Sequence, residues 1–278
     1  MPLCNMRDLL HNAHAGGYAV GSFSVTNLES VMGVIAAAEE ARAPIIIQCA
    51  ETRLQHTPLS ILGPMMVGAA RQSCVPVAVH LDHGATLPCI REALEMGFTS
   101  VMLDGSALPI GENIALVRQV VDMAAAYGAS VEAEVGRVGR GEDGSESAAE
   151  AASIADCLLM DETGIDALAV GIGNAHGLYA ATPELRYDIL EQLNGRLRAK
   201  LVLHGGTGLT DGQFRRLIEL GMRKINIATD VFRAAAMAEH TDDIFRNITA
   251  AAAAVKAVTE KYIALFGSAG KAESHGSL

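Results

Sequence analysis

The sequence predicts one (β/α)8 TIM barrel, and three observations lead to it. A length of 278 residues lies near the ~250 usual for that architecture. Apolar runs of strand length alternate with longer segments of helical period, the mark of repeated βα units around a parallel sheet. Three of these units, VPVAVHLDHG, ALAVGIGNAHG and KLVLHGGTG, carry a histidine at their carboxyl end: His83, His176 and His204. A doubly wound open sheet competes, but it normally uses fewer strands.

The strand runs, in order, are AVGSFSV from Ala19, PIIIQCA from Pro44, VPVAVHLDH from Val75, SVMLDGS from Ser100, SVEAEVG from Ser130, ALAVGIG from Ala167, KLVLHGG from Lys200 and KINIATD from Lys224. Their β-branched, nearly continuous apolar character is that of parallel strands covered on both faces. Between them, LESVMGVIAAAEEAR and IGENIALVRQVVDMAAAYG have the spacing of amphipathic helices. RVGRGEDGSESAAEAAS, 137–153, has no apolar face to bury and reads as a mobile loop over the site. The small, polar tail from about 266 to 278 is expected to fray. The whole chain, 1–278, reads as one domain.

The formal net charge of −11 would repel a polyanion, so nucleic acid and anionic membrane surfaces are not expected partners. No secretory signal is legible and no run of about 18 apolar residues occurs, so a cytoplasmic protein is expected. Five cysteines without CxxC spacing suggest neither a disulfide framework nor a thiolate zinc knuckle.

Polar residues gather at the carboxyl ends of the strand runs: Asp82 and His83, Asp104 and Ser106, Glu134, Asn174 and His176, His204, then Asn226 and Thr229. Burying so many ionisable groups together is costly unless a metal or a substrate organises them. Three imidazoles at equivalent strand ends are a candidate zinc site. His80 shares a strand face with Asp82, and either orients that carboxylate or fills the interior. His11, His14, His56, His240 and His275 read as surface residues. Glu132 and Glu134, two apart on one strand, should both face the interior, with Glu134 nearer the mouth and beside any metal.

Gly205, Gly206 and Thr207 follow the seventh strand, and Asn226 to Thr229 follow or end the eighth. Loops at those places commonly bind phosphate through backbone N–H groups. GIGNAHG has the wrong spacing for a dinucleotide loop. The five lysines give little support to an imine mechanism: Lys200 and Lys224 open the seventh and eighth strands, at the far end of the barrel, and the others lie in the C-terminal helix and tail.

YAVGSFSVTNLE, HLDHG, MLDGS, VEAEVG, GEDG, GNAHGLY, LHGGTG and KINIATD, in this order and spacing, resemble the class II, zinc-dependent fructose- or tagatose-bisphosphate aldolases over nearly the whole chain. The resemblance implies aldol cleavage of a ketose 1-phosphate to dihydroxyacetone phosphate and an aldehyde, and a homodimer or homotetramer. It makes His83, His176 and His204 the zinc ligands and Asp82 the proton donor to the aldehyde oxygen during condensation. Asp104 and Glu134 match positions associated with a second or displaced metal, and a monovalent cation is a further possibility. Glu142 matches the base acting on dihydroxyacetone phosphate. Gly177, Gly205, Gly206, Thr207, Asn226, Ile227, Ala228 and Thr229 match positions that hold the ketose phosphate.

The chain departs from that family at the acceptor end. Ala180 stands where HGxYK has lysine, Ser24 replaces a frequent asparagine, Cys49 stands at a frequent small hydroxyl, and no arginine-bearing C-terminal DPRxY-like motif is legible. The inferred consequence is an acceptor aldehyde that need not be phosphorylated, a longer or acidic sugar, with Arg53, Arg233 or Arg246 as replacement contacts. The competing readings are a metal-dependent barrel hydrolase, which leaves the phosphate loops unexplained, and a catalytically silent sugar-phosphate-binding or assembly subunit, against which the retained histidines, Asp82 and Glu142 argue.

Overall fold

Eight parallel strands hydrogen-bond in chain order and close into a barrel, the first pairing with the last. They are β1 (Val20–Ser24), β2 (Ile45–Ala50), β3 (Val77–Gly84), β4 (Ser100–Leu103), β5 (Ser130–Val135), β6 (Ala167–Val170), β7 (Lys200–Leu203) and β8 (Met222–Ile227). This computed structural model describes residues 2–139 and 149–272. Every strand run read from the sequence becomes a strand, with β8 beginning two residues earlier than expected. No described helix is long and apolar enough to cross a membrane.

Alternation along each strand sorts its side chains into two layers. On β2, Ile45, Ile47 and Cys49 face outward into a continuous core shared with the surrounding helices, to which Val34, Leu62, Met66, Phe214 and Phe266 also belong. Cys49, at the position where the family often has a small hydroxyl, therefore stands between barrel and helices. Inward-facing Val20, Ile46, Ala78, Ala167, Ala169 and Val202 form a second cluster with Met6, Leu9, Leu10 and Ala13. Those four lie on one face of the helix Met6–Gly16, which closes the amino-terminal mouth of the barrel. Asn5 caps that helix by accepting the Arg7 N–H, and Gly17 ends it at φ +67°.

The ends of the 137–153 loop are pinned. Arg137 and Glu150 exchange backbone hydrogen bonds of 2.9 Å each. Gly139 donates to the Asn174 carbonyl and accepts from the His176 N–H, tying the loop stem to the segment after β6 that carries one of the three histidines. The first part of the expected tail is anchored: Ser268 is buried, and the Gly270 and Ala272 amides bond to the Ala41 and Arg42 carbonyls, while 273–278 lie outside the described residues.

Candidate active site

His83, His176 and His204 converge at the carboxyl mouth of the barrel. Their ring centroids are separated by 4.6 to 6.0 Å. One ligand nitrogen from each lies within 4.8 Å of the others. His83 is reached through an irregularity in the β3–β4 register and has φ +42°, a left-handed conformation that a residue with a side chain adopts at a cost of about 1–3 kcal/mol. The kink turns His83 toward the centre, whereas strict alternation would face it away from the side that holds Asp82.

Carboxylates hold two of the rings in fixed orientations. Asp104 Oδ2 lies 2.7 Å from His83 Nδ1, and Ser106 fixes Asp104 in turn through its backbone N–H and hydroxyl. Glu132 Oε1 lies 2.8 Å from His204 Nε2. In the neutral rings each carboxylate draws the proton to its own side, which leaves His83 Nε2 and His204 Nδ1 with their lone pairs toward the centre. Both of these nitrogens are buried and make no hydrogen bond among the described residues. Carboxylate-oriented imidazoles with buried, unused nitrogens are the donor set expected around a bound divalent cation, and the site fits one.

Burial disfavours protonation of both rings, but adjacent charge overcomes it. The Asp82 and Asp104 carboxylates hold His83 well above the ordinary imidazole range. Glu132 and Glu134 raise His204 to about 9. His176 moves the other way, driven well below that range by burial and by the charge of the two neighbouring rings. Around the centre the protein thus presents more negative charge than its imidazoles neutralise.

Asp104 and Glu134, expected as alternative metal positions, both come to the centre. Asp104 positions His83, and with Glu134 and His83 it forms a further set of ligand atoms within 4.8 Å. Glu134 Oε2 lies 3.1 Å from His204 Nδ1, so it sits on the nitrogen that a cation would use.

Asp82 is fully buried beside the histidines, with Oδ2 4.0 Å from His83 Nε2. Gln48 donates to its Oδ2 at 2.8 Å, and Asn226 donates to both oxygens at 3.1 and 3.3 Å. Burial opposes its ionisation, but His83, the nearby His80 and Lys224 hold its carboxyl well below the usual carboxylate range. His80 is a buried interior residue: Nδ1 is bonded to Ser100 Oγ, and Nε2 lies 3.7 Å from both Asp82 and Glu132.

Beyond β7, Gly205 adopts φ +64°, and a Cβ there would fall 2.2 Å from the Ala175 carbonyl, so only glycine fits. Gly177 also has positive φ, at +80°. Thr207 is buried with its hydroxyl unbonded among the described residues, while Ala228 and Thr229 open the helix Thr229–Ala236, whose N-terminus adjoins this loop. Such a helix start beside a glycine loop suits an anionic group. The Gly206 N–H donates to the Asn226 carbonyl; the Asn226 side chain is turned to Asp82 and the Ile227 side chain is core, so these two could meet a phosphate only through the backbone. Glu142 lies outside the described residues.

Sequence reasoning missed Gln48 and misplaced Lys224. Gln48 was visible as the one polar residue inside IIIQCA. Lys224 does not open β8 at the far end of the barrel, because Met222 and Arg223 precede it in the strand; it is fully buried in the interior, 2.9 Å from Glu132.

A closed βα barrel whose carboxyl mouth joins three convergent imidazoles, a buried ionised aspartate and a glycine loop beside a helix N-terminus defines a lyase of the aldol-cleaving, metal-assisted kind. Residues 4–271 match the family described as fructose-bisphosphate aldolase class-II. The 6-phospho-5-dehydro-2-deoxy-D-gluconate aldolase of Halalkalibacterium halodurans is 40% identical over 247 residues, covering 87% of this chain and 85% of that protein. The fructose-bisphosphate aldolase of Streptococcus pneumoniae is 38% identical, covering 98% of this chain and all of that one. The crystal structure of the YdjI aldolase from Escherichia coli K12 superposes with a TM-score of 0.89 at 36% identity, covering 98% and 100% of the two chains. This chain belongs to the class II fructose-bisphosphate aldolase family, and its activity is that of a ketose phosphate aldolase.

Proposed function

We propose that this chain is a zinc enzyme that reversibly cleaves a ketose 1-phosphate to dihydroxyacetone phosphate and an aldehyde whose far end carries no phosphate. The observation that carries this reading is the pairing of Asp82 with three convergent histidines, two of them oriented by carboxylates, in one buried centre. Zinc held by His83, His176 and His204 would supply the Lewis-acid charge that stabilises the ketone oxygen as the C3–C4 bond breaks, worth several kcal/mol. Asp82, ionised and fixed by Gln48 and Asn226, is placed to take the C4 hydroxyl proton in cleavage and to return it in condensation. Glu142 is assigned the proton exchange at C3 on the strength of the GEDG motif. Gly177, Gly205, Thr207 and the backbone at Ala228 and Thr229 are assigned the phosphate. Asp104 and Glu134 serve as orienting and competing carboxylates around the zinc.

The acceptor end is the specific part of the proposal. In a 6-phospho-5-dehydro-2-deoxygluconate, the substrate in the name of one relative, the ketone and phosphate form the same head as in a ketose 1-phosphate. Breaking its C3–C4 bond leaves a three-carbon aldehyde acid, which matches the loss of side chains for a distal phosphate. Of the three arginines considered, Arg53 is the best placed: it follows β2 and lines a cavity of about 510 Å³ with Thr26, Asn27, His56, Phe232 and His240. Arg246 is exposed and pairs with Asp243, and Arg233 is exposed on its helix. A homodimer or homotetramer is part of the proposal, supported by the exposure of Met237, Ile244 and Phe245, and sedimentation velocity tests it.

The test is release of dihydroxyacetone phosphate by zinc-loaded protein from ketose phosphates differing in length, stereochemistry and terminal group. Preference for acid-terminated adducts over bisphosphates, with KM for the acids raised at least tenfold in Arg53→Ala, is expected. Equal turnover of bisphosphates overturns the assignment of the acceptor, and absence of any cleavage overturns the aldolase reading itself.

A further inference from the structure

We propose that Lys224 is a positioning residue: one buried ammonium holds the carboxylate that orients His204 and, through Asn226, the acid–base carboxylate Asp82. The inference rests on the aldolase reading for the roles of His204 and Asp82. Lys224 is fully buried. Its Nζ lies 2.9 Å from Glu132 Oε2 and donates to Asn226 Oδ1 at 2.8 Å.

Those two contacts lead in different directions. Glu132 uses its other oxygen, Oε1, to hold His204 Nε2 at 2.8 Å. Asn226 presents Nδ2 to the two Asp82 oxygens at 3.1 and 3.3 Å. An amide has one accepting and one donating end, and an ammonium can only donate. Lys224 therefore obliges Asn226 to keep its oxygen toward the ammonium and its NH2 toward Asp82. With the ammonium gone, the amide is free to turn and set oxygen against oxygen.

The surroundings call for a cation at this place. His80, Asp82 and Glu132 bring ligand atoms within 4.8 Å of one another, the composition of a metal site. Two buried carboxylates side by side repel unless a positive charge joins them. Lys224 brings that charge to Glu132 from a strand residue in mid-register, opposite Val20 on β1. Without it, Glu132 would be drawn between His80 and His204, and His204 would lose its single orientation.

The test uses the full chain with Lys224→Met, which keeps length and removes charge, alongside Asn226→Leu. Zinc affinity is read by chelator competition, and turnover by release of dihydroxyacetone phosphate at saturating zinc. Lys224→Met is expected to lose about 10- to 100-fold in zinc affinity, the usual effect of removing support from a ligand-orienting group. At saturating zinc its kcat should fall at least tenfold with KM changed less than threefold. Asn226→Leu should reproduce the kcat loss and keep the zinc affinity of the wild type, a separation that general loosening of the barrel would not give. Equal zinc losses in the two variants, or wild-type zinc affinity and kcat in Lys224→Met, overturn the proposal. Should Lys224→Met not fold, the uncharged pair Glu132→Gln with Lys224→Met removes the buried imbalance; wild-type kcat in that double variant overturns the proposal, and depressed kcat with unchanged KM supports it. A wild-type chain that binds zinc but cleaves no ketose phosphate overturns the aldolase reading alone, and the zinc comparison still decides the role of Lys224.

Discussion

Toward the amino ends of the strands the barrel interior is apolar, with Val20, Ile46, Ala78, Ala167 and Val202 meeting Leu9 and Leu10 of the closing helix. Toward the carboxyl ends the same interior holds Gln48, Asp82 and the three convergent histidines, with His80, Glu132 and Lys224 beneath them, all buried. The lower half gains stability by excluding water; the upper half spends it on fixing charges for chemistry. The barrel can do both because its strands give each residue a depth as well as a face.

Substitutions in the two halves should therefore fail in different ways. The largest effect is expected from His204→Ala, which removes a buried ligand and the imidazole shared by Glu132 and Glu134: bound zinc and cleavage should both be lost, as read by metal content and turnover. Asp82→Ala should lower kcat by about 10²–10⁴, the usual worth of one acid–base group, while zinc stays bound. If it kept most of its activity, the proton transfer would have to be assigned elsewhere. Leu9→Ala, in the lower half, should cost about 2–5 kcal/mol of stability in a denaturant titration and leave kcat and zinc affinity unchanged. A parallel fall in kcat would show that the two halves are not separable.

The smallest effect concerns pH. His204 is raised from 6.5 to about 9 by its carboxylates, against burial. In chelator-stripped protein its contribution to stability is full below pH 6.5 and is lost as pH rises through about 9. Zinc needs the same imidazole unprotonated, so zinc affinity should rise over that interval while the thermal midpoint of the stripped protein falls. A zinc affinity independent of pH between 6.5 and 9 would remove the proposed coupling of His204 to Glu132 and Glu134.

Most of the fold and the core of the site were legible because they rest on local pattern. Eight apolar runs gave eight strands, and His83, His176, His204 and Asp82 were recognisable because polar groups at the ends of apolar strands need a reason to be buried. Alternation alone also placed Glu132 and Glu134 inside. It failed at His83, where a positive φ turns the ring toward the centre.

By itself, then, the sequence determined the barrel, its order of strands and the set of residues at its mouth, since those follow from hydrophobic period and chain order. Only the tertiary structure decided which partner each polar group takes: Asp104 on His83, Glu132 on His204, Gln48 and Asn226 on Asp82, and Lys224 between Glu132 and Asn226. The reason is closure. Those partners stand on different strands, and their depth depends on a register that a shift of two residues in one strand, as at the start of β8, is enough to misjudge.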